Sequence, residues 1–232
     1  MGRTSDARER LIEATIDLVW PASYGAVGVD AICDKAGVKK GSFYHFFSGK
    51  DDLMVAALDT HWQNRRAALD RTFSPSIPPL DRLRGYFAHV LERQTGVREK
   101  YGRILGCFHN SVGTECIQSL PEIAAKVQQV LSSYRSYIES ALRDAQAAGD
   151  VRPGDPAADA KTLFAFVEGS LTQARIHDDL EPLRRLPEGG FALLGIAGAA
   201  PAAPATGAKR PRTAPKTSKT SKTSKTTKTA RT

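Results

Sequence analysis

Apolar residues recur every three or four positions through most of the chain up to Leu194, the spacing of helices that bury one face. No stretch of convincing length alternates with the two-residue period of a half-buried strand. A first helix is predicted over residues 6–20: Asp6-Ala-Arg-Glu9 has the form of a capping box, and Leu11, Ala14, Thr15, Leu18 and Val19 share a face. Pro21 ends it. Two short helices follow, over 29–36 and 40–47, with Gly37 suited to a left-handed cap between them. Longer helices are predicted over 50–73, 80–98, 103–119, 122–148, 157–176 and 181–194, with Pro121, Pro153, Pro156 and Pro182 near helix starts. Pro187-Glu-Gly-Gly190 weakens the last, which leaves open a separate turn in its second half. The expected class is all-α.

Composition changes sharply after Leu194. Residues 195–207 are rich in Ala, Pro and Gly, and the chain ends in a repeated Lys-Thr-Ser unit. Without apolar residues this tail cannot offset its ordering entropy, so 196–232 is expected to be disordered. Residues 208–232 hold nine of the 33 Lys and Arg and none of the 25 Asp and Glu. The remainder therefore has 24 bases against 25 acids, a formal −1, and the net +8 belongs to the tail. Basic charge thus cannot be read as a nucleic-acid surface on the folded body. No apolar run is long enough to cross a membrane, and MGRTSDARER is not a signal segment. Three cysteines without a C-x-x-C pair fit neither a disulfide scaffold nor a zinc site and suggest reduced thiols in a cytoplasm. Five scattered histidines have no metal-ligand spacing, and no cofactor is predicted.

The stretch VDAICDKAGVKKGSFYHFFSGKDDL, Val29 to Leu53, has the dimensions of a helix-turn-helix. Val29, Ile32, Cys33 and Ala36 form an inner face, and Phe43 and Phe47 pin the second helix. That geometry turns Lys40, Ser42, Tyr44 and His45 outward, donors suited to phosphates and base edges. Gly41 permits close backbone approach, and Lys50 places a cation at a helix N-terminus. Outside a DNA-binding motif, Tyr44, His45, Lys40 and Lys50 read equally as solvated surface.

This stretch, with the preceding R-x-x-L-I-E-A-T helix, resembles the DNA-binding signature of the TetR family of bacterial transcriptional regulators over about residues 8–58. The resemblance implies an N-terminal helix-turn-helix domain (1–50), a helical effector-binding and dimerisation domain (51–195), and a homodimer on a palindromic DNA operator. DNA contacts are implied at Gly28, Val29, Lys39, Lys40, Gly41, Ser42, Tyr44, His45 and Lys50. Two positions depart from the usual pattern: Gly28 replaces a common Ser or Thr, and Lys39 adds a cation where Ser is frequent. Repression, rather than activation, is also implied by the resemblance.

Gly106-Cys107-Phe108-His109-Asn110 resembles a segment that some family members carry at a ligand-domain helix, where the matching cysteine is modified by oxidants or electrophiles. Cys107 is a candidate sensor on that basis. A helix N-terminus with Arg103 and His109 nearby is expected to lower its thiol pKa; the alternative is an inert buried cysteine. A Cys107–Cys116 disulfide conflicts with helical spacing. Tyr101, His109, Tyr134 and Phe166 are further candidates for an effector pocket. The last helices supply candidate dimer contacts at Leu163, Phe164, Val167, Leu171, Leu183 and Leu186, which read equally as core of a single chain. A DNA-condensing role for the tail is a competing reading. A thiol enzyme is disfavoured because Cys107 and His109 would diverge on one helix.

Overall fold

The computed structural model describes residues 2–196, with side chains from Asp6 onward. Ten helices account for its regular structure: α1 (Gly2–Val19), α2 (Val29–Ala36), α3 (Lys40–Phe46), α4 (Lys50–Thr72), α5 (Pro79–Tyr101), α6 (Phe108–Cys116), α7 (Pro121–Ala148), α8 (Pro156–His177), α9 (Glu181–Arg184) and α10 (Leu186–Leu193). The all-α expectation holds among the described residues. Of the predicted tail, 196–232, all but Ile196 lies outside them.

Most ends fall where the sequence places punctuation. Pro79, Pro121, Pro156 and Pro182 occupy first-turn positions, where a missing N–H costs no hydrogen bond. Asp155 caps α8 by accepting from the Ala157 N–H at 2.9 Å. Gly37 closes α2 at φ +62°, a conformation that costs glycine nothing and reverses the chain towards α3.

Three predicted boundaries are corrected. The helix expected from Asp6 begins at Gly2, so Asp6 lies inside it and faces Arg10 at 3.6 Å instead of capping. The helix expected over 181–194 is two short ones, α9 and α10, meeting at Arg185; the second half is separate, as the Pro187–Gly190 stretch allowed, but helical. The helix expected over 103–119 starts only at Phe108. Residues 102–107 are held non-helical by side chains. Gln94 brackets Gly106, donating to its carbonyl (2.9 Å) and accepting from its N–H (3.0 Å), while Asp178 accepts from the Ile104 N–H (2.8 Å). Gly106 has φ +69°, and a Cβ there would meet the Leu171 carbonyl oxygen at 3.3 Å. Only glycine fits.

Two apolar clusters result. One joins α1, α2, α3 and the first half of α4 to the inner face of α6 and the start of α7, around Leu11, Ile32, Phe43, Leu53 and Phe108. The other packs the second half of α4 against α5, α7, α8, α9 and α10, around Trp62, Phe87, Leu142, Leu163 and Phe191. Helices α4, α5 and α7 contribute side chains to both clusters, whereas α6 packs in the first.

Candidate nucleic-acid interface and effector cavity

Helix α3 commits one side chain fully to the core. Phe43 is completely buried, with Phe47 just beyond the helix beside it. Burying a phenylalanine contributes about 1.5–3 kcal/mol, enough to seat a two-turn helix that has no side-chain N-cap. Lys39, Lys40, Gly41, Ser42, Tyr44 and His45 are exposed together. Tyr44 stands edge-on to Phe43 with 56% of its surface open. A Cβ at Gly41 would meet nothing within 4 Å, so its backbone lies on open surface. Gly28 is exposed and extended before α2, and Val29 is half-buried. Lys40 pairs with Asp30 at 2.7 Å, which raises its pKa and holds its ammonium beside the start of α2.

Lys50 differs from the rest. Its Nζ donates to the carbonyls of Tyr24 (3.0 Å) and Val27 (3.1 Å) and lies 3.9 Å from the Tyr24 ring centroid. The expected free cation is here a brace on the α1–α2 connection.

Behind this unit, α4, α5, α6, α7 and α8 enclose a cavity of about 40 Å³. It gathers Cys107, His109 and Tyr134 from among the predicted effector residues. Tyr101 and Phe166 do not line it. Tyr101 donates to Asp17 at 2.6 Å, joining α5 to α1, and Phe166 packs against Gly189. Arg65, Arg93, Glu168, His61 and His89, none part of a local motif, complete its polar lining.

The chemistry of this lining is set by burial. His109 is fully buried; its Nε2 faces the Leu58 carbonyl at 3.1 Å, which can only accept, so Nδ1 presents a lone pair. Burial pulls the His109 pKa down to about 4, the Leu58 hydrogen bond opposes this, and Arg93 and Arg65 push the same way as burial. His61 is likewise held well below its ordinary value, by burial first and then by His109 and the two arginines. Both imidazoles are neutral near pH 7. Burial raises the Glu168 carboxyl to about 7 against the opposing influence of Cys107 and Arg93.

Cys107 caps α6, as a sensor at a helix N-terminus should, yet its thiol pKa is raised well above the ordinary value. Burial and the neighbouring Glu168 carboxylate outweigh the Asn110 N–H and Arg93. The predicted thiolate-favouring environment is therefore corrected. As the cap rather than a helical residue, Cys107 lines the same cavity as His109, but a raised thiol beside a neutral imidazole is no thiolate–imidazolium pair. All three cysteines are free.

The six predicted dimer residues are also relocated. Leu163, Phe164, Val167, Leu171, Leu183 and Leu186 are all at most 6% exposed within this single chain. They fill its own core, the second of the two readings their spacing allowed.

Helix α6 connects the cavity and the helix-turn-helix unit. At its far end the Glu115 carboxylate accepts from the backbone N–H groups of Tyr24 (2.8 Å) and Gly25 (2.6 Å), in the connection braced by Lys50. Tyr24 in turn donates its hydroxyl to Asp51 at the start of α4.

Residues 11–57 match the family described as bacterial regulatory proteins, tetR family, and residues 79–188 match the tetracyclin repressor-like C-terminal domain. The chain is 31% identical over 179 residues to the transcriptional regulator AcuR of Cereibacter sphaeroides, covering 76% of this chain and 80% of that protein. It is 24% identical over 180 residues to the transcriptional repressor NemR of Escherichia coli, covering 77% and 88%. Among solved structures, a regulatory protein TetR from Rhodobacter sphaeroides superposes with a TM-score of 0.72 at 29% identity, covering 81% of this chain and 98% of that one. No described helix is long and apolar enough to cross a membrane. The exposed α3 face, its placement by α1 and α2, and the agreement over both halves lead to one conclusion: the chain belongs to the TetR family of DNA-binding transcriptional regulators.

Proposed function

We propose that the protein is an effector-responsive repressor that acts in the cytoplasm as a homodimer on a palindromic operator. Residues 1–50 form the DNA-binding domain and 51–195 the effector and dimer domain. The observation that carries this reading is α6, with the cavity at its start and Glu115 gripping the α1–α2 connection at its end. Two copies would set two α3 helices about one DNA turn apart, ~34–36 Å, or at a wider compatible spacing. An effector moving α6 would alter that spacing. To take operator occupancy from 99:1 to 1:99 it must favour the non-binding state by about 5.5 kcal/mol.

The raised Cys107 pKa favours reversible ligand binding over thiol modification as the signal. The dimer face is assigned to Ala158, Thr162, Ala165, Gly169, Thr172 and Ile176 of α8. They are exposed, recur every three or four residues, and are mostly small enough for two helices to approach closely. Ile176 is 64% exposed, which suits a contact between copies.

Selection of bound fragments from random duplex DNA by the full chain tests the proposal. A palindrome should be enriched; enrichment of no palindrome would overturn it. Deleting residues 200–232 separates this reading from a DNA-condensing one. Operator preference should survive, while the slope of log K against log salt should weaken by up to about 8 per subunit, at about 0.9 per phosphate released. Loss of all binding would favour the tail.

A further inference from the structure

We infer that the cavity is a receptor for a short-chain carboxylate of two to four carbons, seated on the guanidinium groups of Arg65 and Arg93. This rests on the reading of the cavity as the effector site and adds the ligand's chemical class. Three observations carry it.

The first is unmet hydrogen-bonding capacity. Nε of Arg65, Nε and Nη2 of Arg93 and both ring nitrogens of His61 are buried with no protein partner within hydrogen-bonding distance. His61 is only 6% exposed, and all three side chains line the cavity. Buried donors of this kind are almost always satisfied, and leaving a charged one unsatisfied is costly. A planar guanidinium matches a planar carboxylate through paired N–H···O bonds.

The second is charge. Neither arginine lies within 4 Å of an acidic oxygen among the described residues; Arg93 instead rests 5.7 Å above the Trp20 ring. Arg65 is pulled down only to about 9 and remains protonated near pH 7. The histidines are neutral there, so two positive charges face at most one negative, that of Glu168. The cavity is therefore one anion short of charge balance, and Glu168 Oε2, itself buried without a partner, reaches neither arginine.

The third is size and wall chemistry. A volume of about 40 Å³ holds about three water-sized positions at about 10–15 Å³ each. That chamber admits a carboxylate with a short tail; Arg65, Arg93 and His61 also line a wider, open groove of about 550 Å³, so the chamber sets the fit of the carboxylate end and its first carbons. Leu69, Val90, Tyr86 and Leu171 give the tail an apolar wall, which inorganic phosphate cannot use.

Titration calorimetry on the full-length protein at fixed ionic strength is the test, with acetate, propionate, butyrate, hexanoate, propionamide and inorganic phosphate as probes. Propionate or butyrate should bind, with propionamide at least about tenfold weaker and hexanoate no tighter than butyrate. Arg93→Gln and Arg65→Gln should each weaken propionate about 10- to 100-fold, the range for one charge-assisted hydrogen bond. Glu168→Gln, which removes the competing charge, should tighten propionate at pH 8 by about tenfold or more; this variant keeps the test decisive if an arginine variant does not fold. Propionamide or phosphate binding as tightly as propionate, or no change in any variant, would overturn the inference. Ligand-free protein that enriches a palindrome but binds no carboxylate would reject this inference alone and leave the operator reading intact.

Discussion

Replacing Glu115 by alanine should uncouple the cavity from the DNA. The Glu115 carboxylate accepts at 2.8 and 2.6 Å from two backbone N–H groups of the α1–α2 connection. Helix α6 rises about 1.5 Å per residue, so Cys107 and Glu115 lie about 12 Å apart along one short rigid element. Helix shifts of about 1–2 Å are common in ligand switching. A 1 Å shift would stretch these bonds to about 3.6–3.8 Å, beyond hydrogen-bonding range, unless the connection moved with α6. Each bond to a charged acceptor contributes about 1.5–3 kcal/mol when shielded. Glu115 is exposed, so solvent screening reduces the pair to about 2 kcal/mol in total. That lies within the 1–3 kcal/mol typical of allosteric coupling, a 5- to 150-fold change in affinity. Operator affinity measured by fluorescence anisotropy, with and without saturating propionate, should fall by such a factor in the native protein. In Glu115→Ala the factor should drop to about two or less, with the melting temperature lowered by about 4–8 °C. Undiminished coupling in a folded Glu115→Ala protein would refute the α6 linkage.

Three further outcomes follow from the geometry. Lys50→Ala should lower stability by about 2 kcal/mol in urea denaturation, through two lost carbonyl contacts, and change the salt slope of DNA binding by less than one phosphate, whereas Lys39→Ala should reduce that slope by about 0.9. Ala165→Arg, on the exposed face of α8, should leave the fold intact and yield monomers in sedimentation analysis; an unchanged dimer would place the interface elsewhere. Between pH 4.5 and 6.5 the unfolded chain binds one more proton at His109, whose folded pKa is about 4, so stability from this group is lost as pH falls. Glu168, folded pKa about 7, binds its extra proton in the folded state and opposes that trend; Glu168→Gln should therefore make stability rise more steeply with pH in this window, by about 1.4 kcal/mol per pH unit. An unaltered slope in urea titrations would show that Glu168 is not protonated there.

The helix-turn-helix was legible because every device in it is local. Gly37 sets the turn, Phe43 and Phe47 set the buried face, and the exposed set on α3 follows by rotation. The start of α6 was not, because what keeps residues 102–107 out of a helix is Gln94, twelve residues before Gly106, together with Asp178, seventy-four after Ile104. The cavity lay between these cases. Cys107 stood out through a motif, whereas Arg65, Arg93 and Glu168 have none. Yet each interrupts an apolar stripe at helical spacing: Arg65 between Trp62 and Leu69, Arg93 between Val90 and Val97, Glu168 between Phe164 and Leu171. A charge on the core-facing side of a helix was the available signal. The six α8–α10 leucine-type positions failed as dimer candidates for a related reason: periodicity marks a buried face but not which chain covers it.

The economy of α3 has an evolutionary consequence. Only Phe43 of its seven residues is fully buried, so the helix is held by Phe43 with Phe46 and the following Phe47 packed beside it, while Lys40, Ser42, Tyr44 and His45 face solvent. Substitutions at those four positions leave no cavity and strand no buried polar group, so their effect on stability is usually within about 0.5 kcal/mol. On the proposed reading, in which those four side chains contact DNA, operator preference can drift after gene duplication without compensating changes in the core. A family built on this arrangement can diversify its DNA targets faster than its fold.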